Sequence, residues 1–262
     1  MTGQMALPSA RSSQSIVSLR GVGKTFDSGT VALAGLDLDV RAGEFVSLLG
    51  PSGCGKSTAL RIIAGLSDAS AGKVAWPDGD KRLGFVFQEP TLMPWARVAA
   101  NVELPLRLAR ADAAAARAAA LASLGRVGLA DFAGAFPREL SGGMKMRASI
   151  ARALVTEPDL LLMDEPFAAL DEITRFKLNN DLLTLWQQLK RTVIFVTHSV
   201  FESVYLSQRI LVMSPRPGRV VAEIDIPASY PRDERFRTSA EYAGYCREVS
   251  EALGAAMAER AA

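Results

Sequence analysis

Apolar and polar residues follow two different patterns along the chain, and the patterns predict two kinds of strand. Between Leu36 and Val40 apolar residues alternate with aspartates, which is typical of a half-solvated, antiparallel strand. Other runs are short and almost wholly apolar, as buried strands of a parallel sheet are: 45–49, 83–87, 160–163, 192–196 and 209–213. With a first strand over Ile16 to Phe26, the patterns predict a mostly parallel sheet with an antiparallel portion.

Helical spacing dominates three other parts of the chain. Residues 90–158 read as helical, and Ala109 to Ser123 is alanine-rich, which strongly favours a helix. A long helix from Glu172 to about Lys190 has a stripe predicted to face the core: Ile173, Phe176, Leu182, Leu185, Trp186 and Leu189. A last helix carries Tyr242, Tyr245, Val249, Leu253 and Met257 on one face, which should pack on its own core or on a second copy.

These patterns predict an α/β fold with a helical subdomain, about residues 90–157, inserted into a sheet-based core. The apolar dipeptide Pro94-Trp95 lies in that subdomain and could form a surface site, although we expect it to be packed inside. The polar segment 1–15 predicts a disordered tail rather than a secretory signal.

Composition narrows the possible partners. A net charge of +2 argues against nucleic acid or an anionic membrane surface as a bulk electrostatic partner. The two cysteines, Cys54 and Cys246, are not expected to pair, which suits a reducing cytoplasm. No apolar run approaches the ~20 residues of a membrane span. A role at a membrane would therefore come through a partner protein.

The strongest chemical signal is a glycine-rich loop between the strand at 45–49 and a helix ending near Gly65. Glycines let backbone N–H groups turn inward around an anion, and the helix N-terminus adds partial positive charge. Lys56 would reach the β- and γ-phosphates of a nucleotide, and the Ser57 hydroxyl would bind Mg²⁺. The sequence therefore predicts a nucleotide-binding loop made of Gly50, Pro51, Ser52, Gly53, Cys54, Gly55, Lys56, Ser57 and Thr58.

Other polar residues end the predicted strands or open a helix. Asp164 could reach Mg²⁺ through water, and Glu165 projects toward an attacking water. His198, the single histidine, ends another strand, and ligands of open parallel sheets bind at those carboxyl edges. Gln88 ends the strand at 83–87, where it could contact both the metal and the joint with the helical subdomain.

A second glycine loop precedes the helix that begins near Met144. Its residues Ser141, Gly142 and Gly143 form another anion-binding geometry at a helix N-terminus, which raises the question whether two loops share one nucleotide. Phe26 lies before the first loop in the chain and could stack on an adenine ring, although an isolated phenylalanine is more often part of a core.

Taken together, these segments resemble the ATP-binding subunit of an ABC transporter over about residues 16 to 215. The matching motifs, in the family's order, are the Walker A loop Gly50–Thr58, Gln88 as the Q-loop, Leu140–Gly143 as the signature, Walker B at Leu160–Asp164 followed by Glu165, the D-loop Ala168–Asp171, and Thr197-His198 as the H-loop. Within the family, Phe87-Gln88 with Leu92–Trp95, and Ser214–Arg219, resemble the nitrate, sulfonate and taurine importer branch. Met144, Phe26 and Ala168 depart from the commonest family residues, and none of the three removes a catalytic group.

The resemblance implies a P-loop NTPase fold that binds ATP and Mg²⁺, with residues 216–262 as a C-terminal extension. It implies a head-to-tail homodimer in which each ATP lies between one copy's Walker A loop and the other's Ser141–Gly143, with Asp171 at the dimer contact. Glu165 would polarise the water, His198 would hold the γ-phosphate, and Gln88 would sense Mg²⁺. The implied partners are an integral membrane permease and a solute-binding protein, which place the chain peripherally on the cytoplasmic face of the inner membrane.

Three other functions compete with this interpretation of the sequence. An exporter or lipid-transport ATPase shares the core motifs. A soluble small-molecule kinase could use the same phosphate loop but has no use for Leu140–Gly143. A non-transport ABC protein acting on DNA or ribosomes usually needs a coiled-coil insert or two cassettes, and neither fits in 262 residues. The transported solute cannot be inferred from these residues.

Overall fold

Nine strands form two sheets in the part of the chain that the structure, a computed structural model, describes: residues 14–79 and 81–258. The predicted tail 1–15 lies almost entirely outside these residues. In chain order the strands are β1 Ser15–Thr25, β2 Val31–Arg41, β3 Phe45–Leu49, β4 Ala71–Ala75, β5 Leu83–Val86, β6 Leu160–Asp164, β7 Thr192–Thr197, β8 Arg209–Met213 and β9 Val220–Asp225.

The helices lie between and after these strands. They are α1 Lys56–Ile63, α2 Val98–Leu108, α3 Ala113–Arg126, α4 Gly142–Leu154, α5 Glu172–Leu189, α6 Val200–Leu206, α7 Glu234–Arg237 and α8 Ala240–Ala258. Two short 3₁₀ turns, Ala130–Phe132 and Pro137–Glu139, join α3 to α4.

The larger sheet has the order β5-β6-β7-β3-β8-β9, and its first five strands are parallel. Strands β3, β6, β7 and β8 are buried along their whole length, which explains why they are apolar at every position rather than at alternate ones. The predicted α/β class is confirmed. Strand β9 pairs antiparallel with β8 at the edge of the sheet. It was not predicted from the apolar pattern, because half of its residues are exposed.

The smaller sheet, with the order β2-β1-β4, is antiparallel throughout. Its buried residues form one apolar cluster with α1 and one face of the larger sheet. Helices α5, α6 and α8 cover the other face, so the C-terminal helix packs on the chain's own core. The larger sheet is therefore covered on both sides, and only its strand ends are open to ligands.

Helices α2, α3 and α4 share an apolar cluster of their own. One expectation in this region is wrong: no single helix runs from Ala109 to Ser123. Helix α2 ends at Leu108, Arg110 adopts a left-handed φ of 58°, and the Asp112 carboxylate accepts a hydrogen bond from Ala115 N, 2.9 Å away, to begin α3. The cap competes with the helix propensity of the alanines and decides where α3 starts.

Three apolar residues that we expected to be buried lie at the surface: Trp95 is 76% exposed, Ile173 is 83% exposed, and Phe176 is also exposed. Met257, predicted to pack on the chain's own core or on a second copy, is 52% exposed in this chain. Ile173 and Phe176 lie near the start of α5 and Met257 near the end of α8, two helices that bury other apolar residues, whereas Trp95 lies on the turn before α2. For the two helices, the predicted spacing of apolar residues was correct, and only the exposure of residues at the edge of the stripe was not predicted. The packing neighbours of a helix decide how wide its buried stripe is, and the spacing of apolar residues does not contain that width.

A buried arginine fixes the chain after β9 to the core. The terminal nitrogens of Arg232 donate to the carbonyl oxygens of Val204, Tyr205 and Ser207, at the end of α6, and of Ile226 and Ala228, at 2.8–3.1 Å. Its guanidinium also stacks on the Tyr230 and Phe236 rings. Burial lowers the pKa of Arg232, and the carbonyl bonds compensate for the lost hydration of the cation.

Arg232→Ala is expected to lower the free energy of unfolding by about 3 kcal/mol, because five buried carbonyl oxygens would lose their donors. Arg235→Ala, at an exposed position three residues away, should stay within about 0.5 kcal/mol of the parent. Urea denaturation of the three proteins provides the measurement. Equal stability of the two variants would contradict the role given to Arg232.

Candidate functional site

The glycine loop connects the end of β3 to the start of α1. Gly55 has φ 107°, and a Cβ there would lie 2.7 Å from the Ala32 carbonyl oxygen, so only glycine fits. The Lys56 ammonium is buried under the loop and donates to the carbonyl oxygens of Gly50 (2.7 Å) and Pro51 (3.0 Å). The loop therefore presents backbone N–H groups, a helix N-terminus and a lysine at one point, which suits a polyphosphate.

Ser57 and Asp164 meet beside this loop. The Ser57 hydroxyl donates to Asp164 Oδ1 over 2.7 Å, joining the first turn of α1 to the end of β6. Burial raises the pKa of Asp164, and the Ser57 hydrogen bond opposes part of that rise. Hydroxyl and carboxylate oxygens are the donors that Mg²⁺ prefers, so the pair fits this ion.

No group of three or more His, Cys, Asp or Glu side chains that could hold a metal ion occurs within residues 14–79 and 81–258. Mg²⁺ characteristically binds through one or two carboxylates plus substrate phosphates rather than in an all-protein cage. The Ser57 and Asp164 pair is therefore suited to an ion that arrives with a nucleotide.

Glu165 lies between the Lys56 ammonium and the His198 ring. Its Oε1 is 3.4 Å from Lys56 Nζ, and its Oε2 is 2.8 Å from His198 Nδ1. Its backbone N–H donates to the Val196 carbonyl oxygen of β7, and its φ of 44° aims the side chain out of the strand. Strands β6, β7 and β3 are consecutive in the sheet, so Glu165, His198 and the loop meet as the sequence predicted.

A cleft of about 270 Å³ is lined by Lys56, Ser57 and Glu165, whereas Asp164 and His198 do not line it. Phe26 is among the residues that line it, 44% exposed, with Lys24 Nζ 5.5 Å from the ring centroid. An aromatic ring and a glycine loop that line the same cleft suit the base and the phosphates of a nucleotide. The lining also includes Ser28, Thr30, Ala32, Thr58 and Arg216, of which sequence reasoning identified only Thr58.

Arg216 is the chemically most interesting of the residues that were missed. Its Nε donates to the Gly53 carbonyl oxygen over 3.1 Å, which brings a guanidinium to the glycine loop from a distant part of the chain. The segment around it, Ser214–Arg219, resembles the importer branch of the family, but its residues do not by themselves predict a chemical role. The contact could not be anticipated, because only the return of the chain after β8 creates it.

Other predicted site residues do not line the cleft. Ser141 caps α4, where its hydroxyl oxygen accepts from Met144 N, and it is exposed together with Gly142. A Cβ on Gly143 would lie 2.9 Å from Thr174 Cγ2, so this loop packs closely on the start of α5. Gln88 is exposed after β5 and also lies outside the cleft lining.

Asp171 and Cys54 have structural roles within this chain. Asp171 Oδ1 accepts from Thr174 N at 2.9 Å, which caps α5 and holds the pKa of Asp171 below its ordinary value. Cys54 is buried inside the glycine loop, and burial raises the pKa of its thiol. Cys54 and Cys246 are both free, as predicted.

Comparisons with known proteins agree with this geometry. The family profile described as ABC transporter matches residues 33–168. The chain is 48% identical to the taurine import ATP-binding protein of Rhizobium johnstonii over 202 residues, 74% of this chain and 76% of that one. It is 46% identical to an aliphatic sulfonates import ATP-binding protein of Pseudomonas syringae pv. syringae over 222 residues, 85% of this chain and 90% of that one.

A solved structure is also similar. It is a dimeric ATP-binding cassette in a post-hydrolysis state bound to ADP and phosphate, with a TM-score of 0.71 and 35% identity, and the match covers 81% of this chain and all of that one. Among the described helices, none combines the length and apolar character that crossing a membrane requires. The chain therefore belongs to the ABC transporter family, as a subunit that binds and hydrolyses ATP.

Proposed function

We propose that two copies of this chain bind two ATP molecules head to tail, and that hydrolysis powers the import of a small sulfonate through a separate membrane permease. The observation that carries the proposal is the position of Glu165, held between Lys56 and His198 beside the cleft. A carboxylate at that point can take a proton from a water aimed at the γ-phosphate.

The proposed roles of the other groups follow from their positions. Lys56 and the loop Gly50–Thr58 bind the β- and γ-phosphates, Phe26 stacks on adenine, and His198 orients Glu165 and contacts the γ-phosphate. Ser57, with Asp164 through water and Gln88 from the Q-loop, would hold Mg²⁺. That ion, when bound, supplies charge neutralisation for the phosphates.

The second copy would supply the second glycine loop, which does not line this cleft. Ser141 and Gly142 are exposed at the N-terminus of the 13-residue helix α4 and do not line the chain's own cleft. A helix N-terminus favours an anion, so the γ-phosphate of a partner's nucleotide is a suitable ligand. Asp171, exposed at the start of α5, would then lie at the dimer contact.

The permease partner would contact the loop that exposes Trp95. The buried Asn101 amide holds this loop through Met93 N (2.6 Å) and through the carbonyl oxygens of Met93, Ala96 and Arg97. A tryptophan exposed on a loop fixed by four hydrogen bonds is suited to an interface, because little conformational entropy is lost on binding.

The same loop is tied to helix α4. Arg152, near the end of α4, donates to the carbonyl oxygens of Pro90 and Thr91 and to the Thr91 hydroxyl at 2.8–2.9 Å. Ser141 is at the other end of this helix. A change at the partner's nucleotide could therefore be passed along α4 to the permease contact, and α2 to α4 would form the helical subdomain of about residues 90–157.

The relatives named for taurine and aliphatic sulfonates support a sulfonate as the solute. Selectivity would belong to the permease and a solute-binding protein, with this chain peripheral on the cytoplasmic face of the membrane. Residues 16–215 would form the ATP-binding domain and residues 216–262 an extension that, through α8, packs on its core.

Glu165→Gln is expected to keep ATP binding and to lower the hydrolysis rate by roughly 100- to 10,000-fold, because the amide cannot accept the proton of the water. The variant should also accumulate as a dimer in ATP. Phosphate release and sedimentation in ATP provide the measurements, with Glu157→Gln, at an exposed position, as the matched control. Hydrolysis by Glu165→Gln at the wild-type rate would show that Glu165 is not the general base.

Ser141→Arg and Lys56→Ala are each expected to abolish hydrolysis, the first without loss of ATP binding to a single protomer. In a dimer with one protomer of each variant, one site combines the intact lysine loop of the Ser141→Arg protomer with the intact signature of the Lys56→Ala protomer. The other site carries both changes. An equimolar mixture should therefore hydrolyse ATP well above the sum of its components. A mixture no better than that sum would argue against sites shared between copies.

The transporter reconstituted in liposomes with its solute-binding protein should hydrolyse ATP faster in the presence of taurine. β-Alanine, which has a carboxylate in place of the sulfonate, should have little effect, because a site built around one anion geometry rejects another. Stimulation by β-alanine alone, or by nitrate alone, would contradict the sulfonate assignment.

A further inference from the structure

The segment Ser214–Arg219 is held tightly against the glycine loop. Gly218 N donates to the Ala32 carbonyl oxygen (2.9 Å), and its own carbonyl oxygen accepts from Ala34 N (3.1 Å). A Cβ on Gly218 would lie 2.0 Å from the Cys54 carbonyl oxygen, so no other residue could approach the loop this closely. The segment is therefore fixed between β2 and the phosphate-binding loop.

The same segment is closed on itself by three hydrogen bonds. Ser214 N donates to the Arg219 carbonyl oxygen, the Ser214 hydroxyl donates to the Pro217 carbonyl oxygen, and Arg219 N donates to the Ser214 hydroxyl, at 2.9–3.2 Å. This turn has Arg216 at its tip. A side chain carried by a closed, anchored turn has few ways to move away from its position.

Arg216 uses only a small part of its hydrogen-bonding capacity. Nε donates to the Gly53 carbonyl oxygen, and a Cβ on Gly53 would lie 3.3 Å from Nη2, so the guanidinium lies directly over the loop. Within the described residues it has no carboxylate partner. The guanidinium is therefore an uncompensated cation at a loop that binds phosphates, with most of its N–H groups available.

We propose that Arg216 is a nucleotide-binding residue, and that its terminal nitrogens bind phosphate oxygens of the nucleotide held by Gly50–Thr58 of the same protomer. The planar guanidinium matches a phosphate with two parallel N–H donors, which an ammonium cannot do. The proposal rests on the proposed function of the cleft as the ATP site. It adds a cationic contact besides Lys56 and the N-terminus of α1.

Arg216 could instead bind a carboxylate of a second copy of the chain. Besides the nucleotide cleft, Arg216 lines a second cavity of about 280 Å³ with Pro51, Ser52 and Met257. A carboxylate of a second copy could approach from that side. The two ligands differ in when they act, because a phosphate contact is needed in a single protomer and a partner contact only in the dimer.

The test measures binding of fluorescent ADP at low protein concentration, where single protomers prevail and no hydrolysis occurs. Arg216→Ala should weaken ADP binding roughly tenfold, since a charge-assisted contact to phosphate is lost. The ADP affinity of Arg216→Lys should lie between that of the parent and that of Arg216→Ala. Arg219 is exposed in the same turn and does not line the cleft, so Arg219→Ala should bind ADP as the parent does. The difference in ADP affinity between the parent and Arg216→Ala should become smaller as the salt concentration is raised.

Arg216→Gln separates a phosphate contact from simple support of the loop, because glutamine keeps a donor for the Gly53 carbonyl oxygen and lacks the charge. It should bind ADP as weakly as Arg216→Ala does. Parent-like binding by Arg216→Gln would overturn the proposal. Parent-like ADP binding by Arg216→Ala, with loss of ATP-dependent dimers, would assign Arg216 to the partner and overturn it as well.

Lys56→Ala distinguishes an error about the ATP site from an error about Arg216. If the parent protein binds no nucleotide, or binds it equally well after Lys56→Ala, the cleft is not the ATP site. If the parent binds ADP, Lys56→Ala does not, and Arg216→Ala binds as the parent does, only the role of Arg216 is wrong.

Discussion

The pairing of β6, β7 and β3 as consecutive parallel strands is the constraint on which the site depends. Parallel strands end at the same edge of a sheet, so residues far apart in the chain must meet there. Glu165 follows β6, His198 follows β7, and the loop with Lys56 follows β3. The carboxylate lies 3.4 Å from the ammonium and 2.8 Å from the imidazole because of this order.

The fold separates the two glycine loops that we propose to share one nucleotide. The loop around Lys56 belongs to the larger sheet, whereas Ser141 belongs to α4 and lies outside the cleft lining. This separation is the physical reason for proposing shared sites between two copies. Arg152, toward the far end of α4, holds the loop that exposes Trp95, so one rigid helix would join the shared site to the membrane partner.

Most sequence predictions that failed concern surfaces rather than elements. Trp95 lies on a turn and Ile173 lies in a helix that buries other apolar residues, and the exposure of each depends on what packs beside it. Strand β9 was missed because an edge strand is half solvated and sits among turn residues. The contact of Arg216 with Gly53 was missed because it joins residues 163 positions apart, and no local pattern encodes it.

The sequence by itself determined the α/β class, the buried strands, the glycine loop and the family, because apolar runs, glycines and motif order are local properties. It also named Glu165 and His198, since strand ends can be identified from where apolar runs stop. Only the tertiary structure decided the order of the strands, the distances at their ends and the return of Arg216 to the loop. Those depend on long-range packing, which brings together residues whose proximity has no signature in the local sequence.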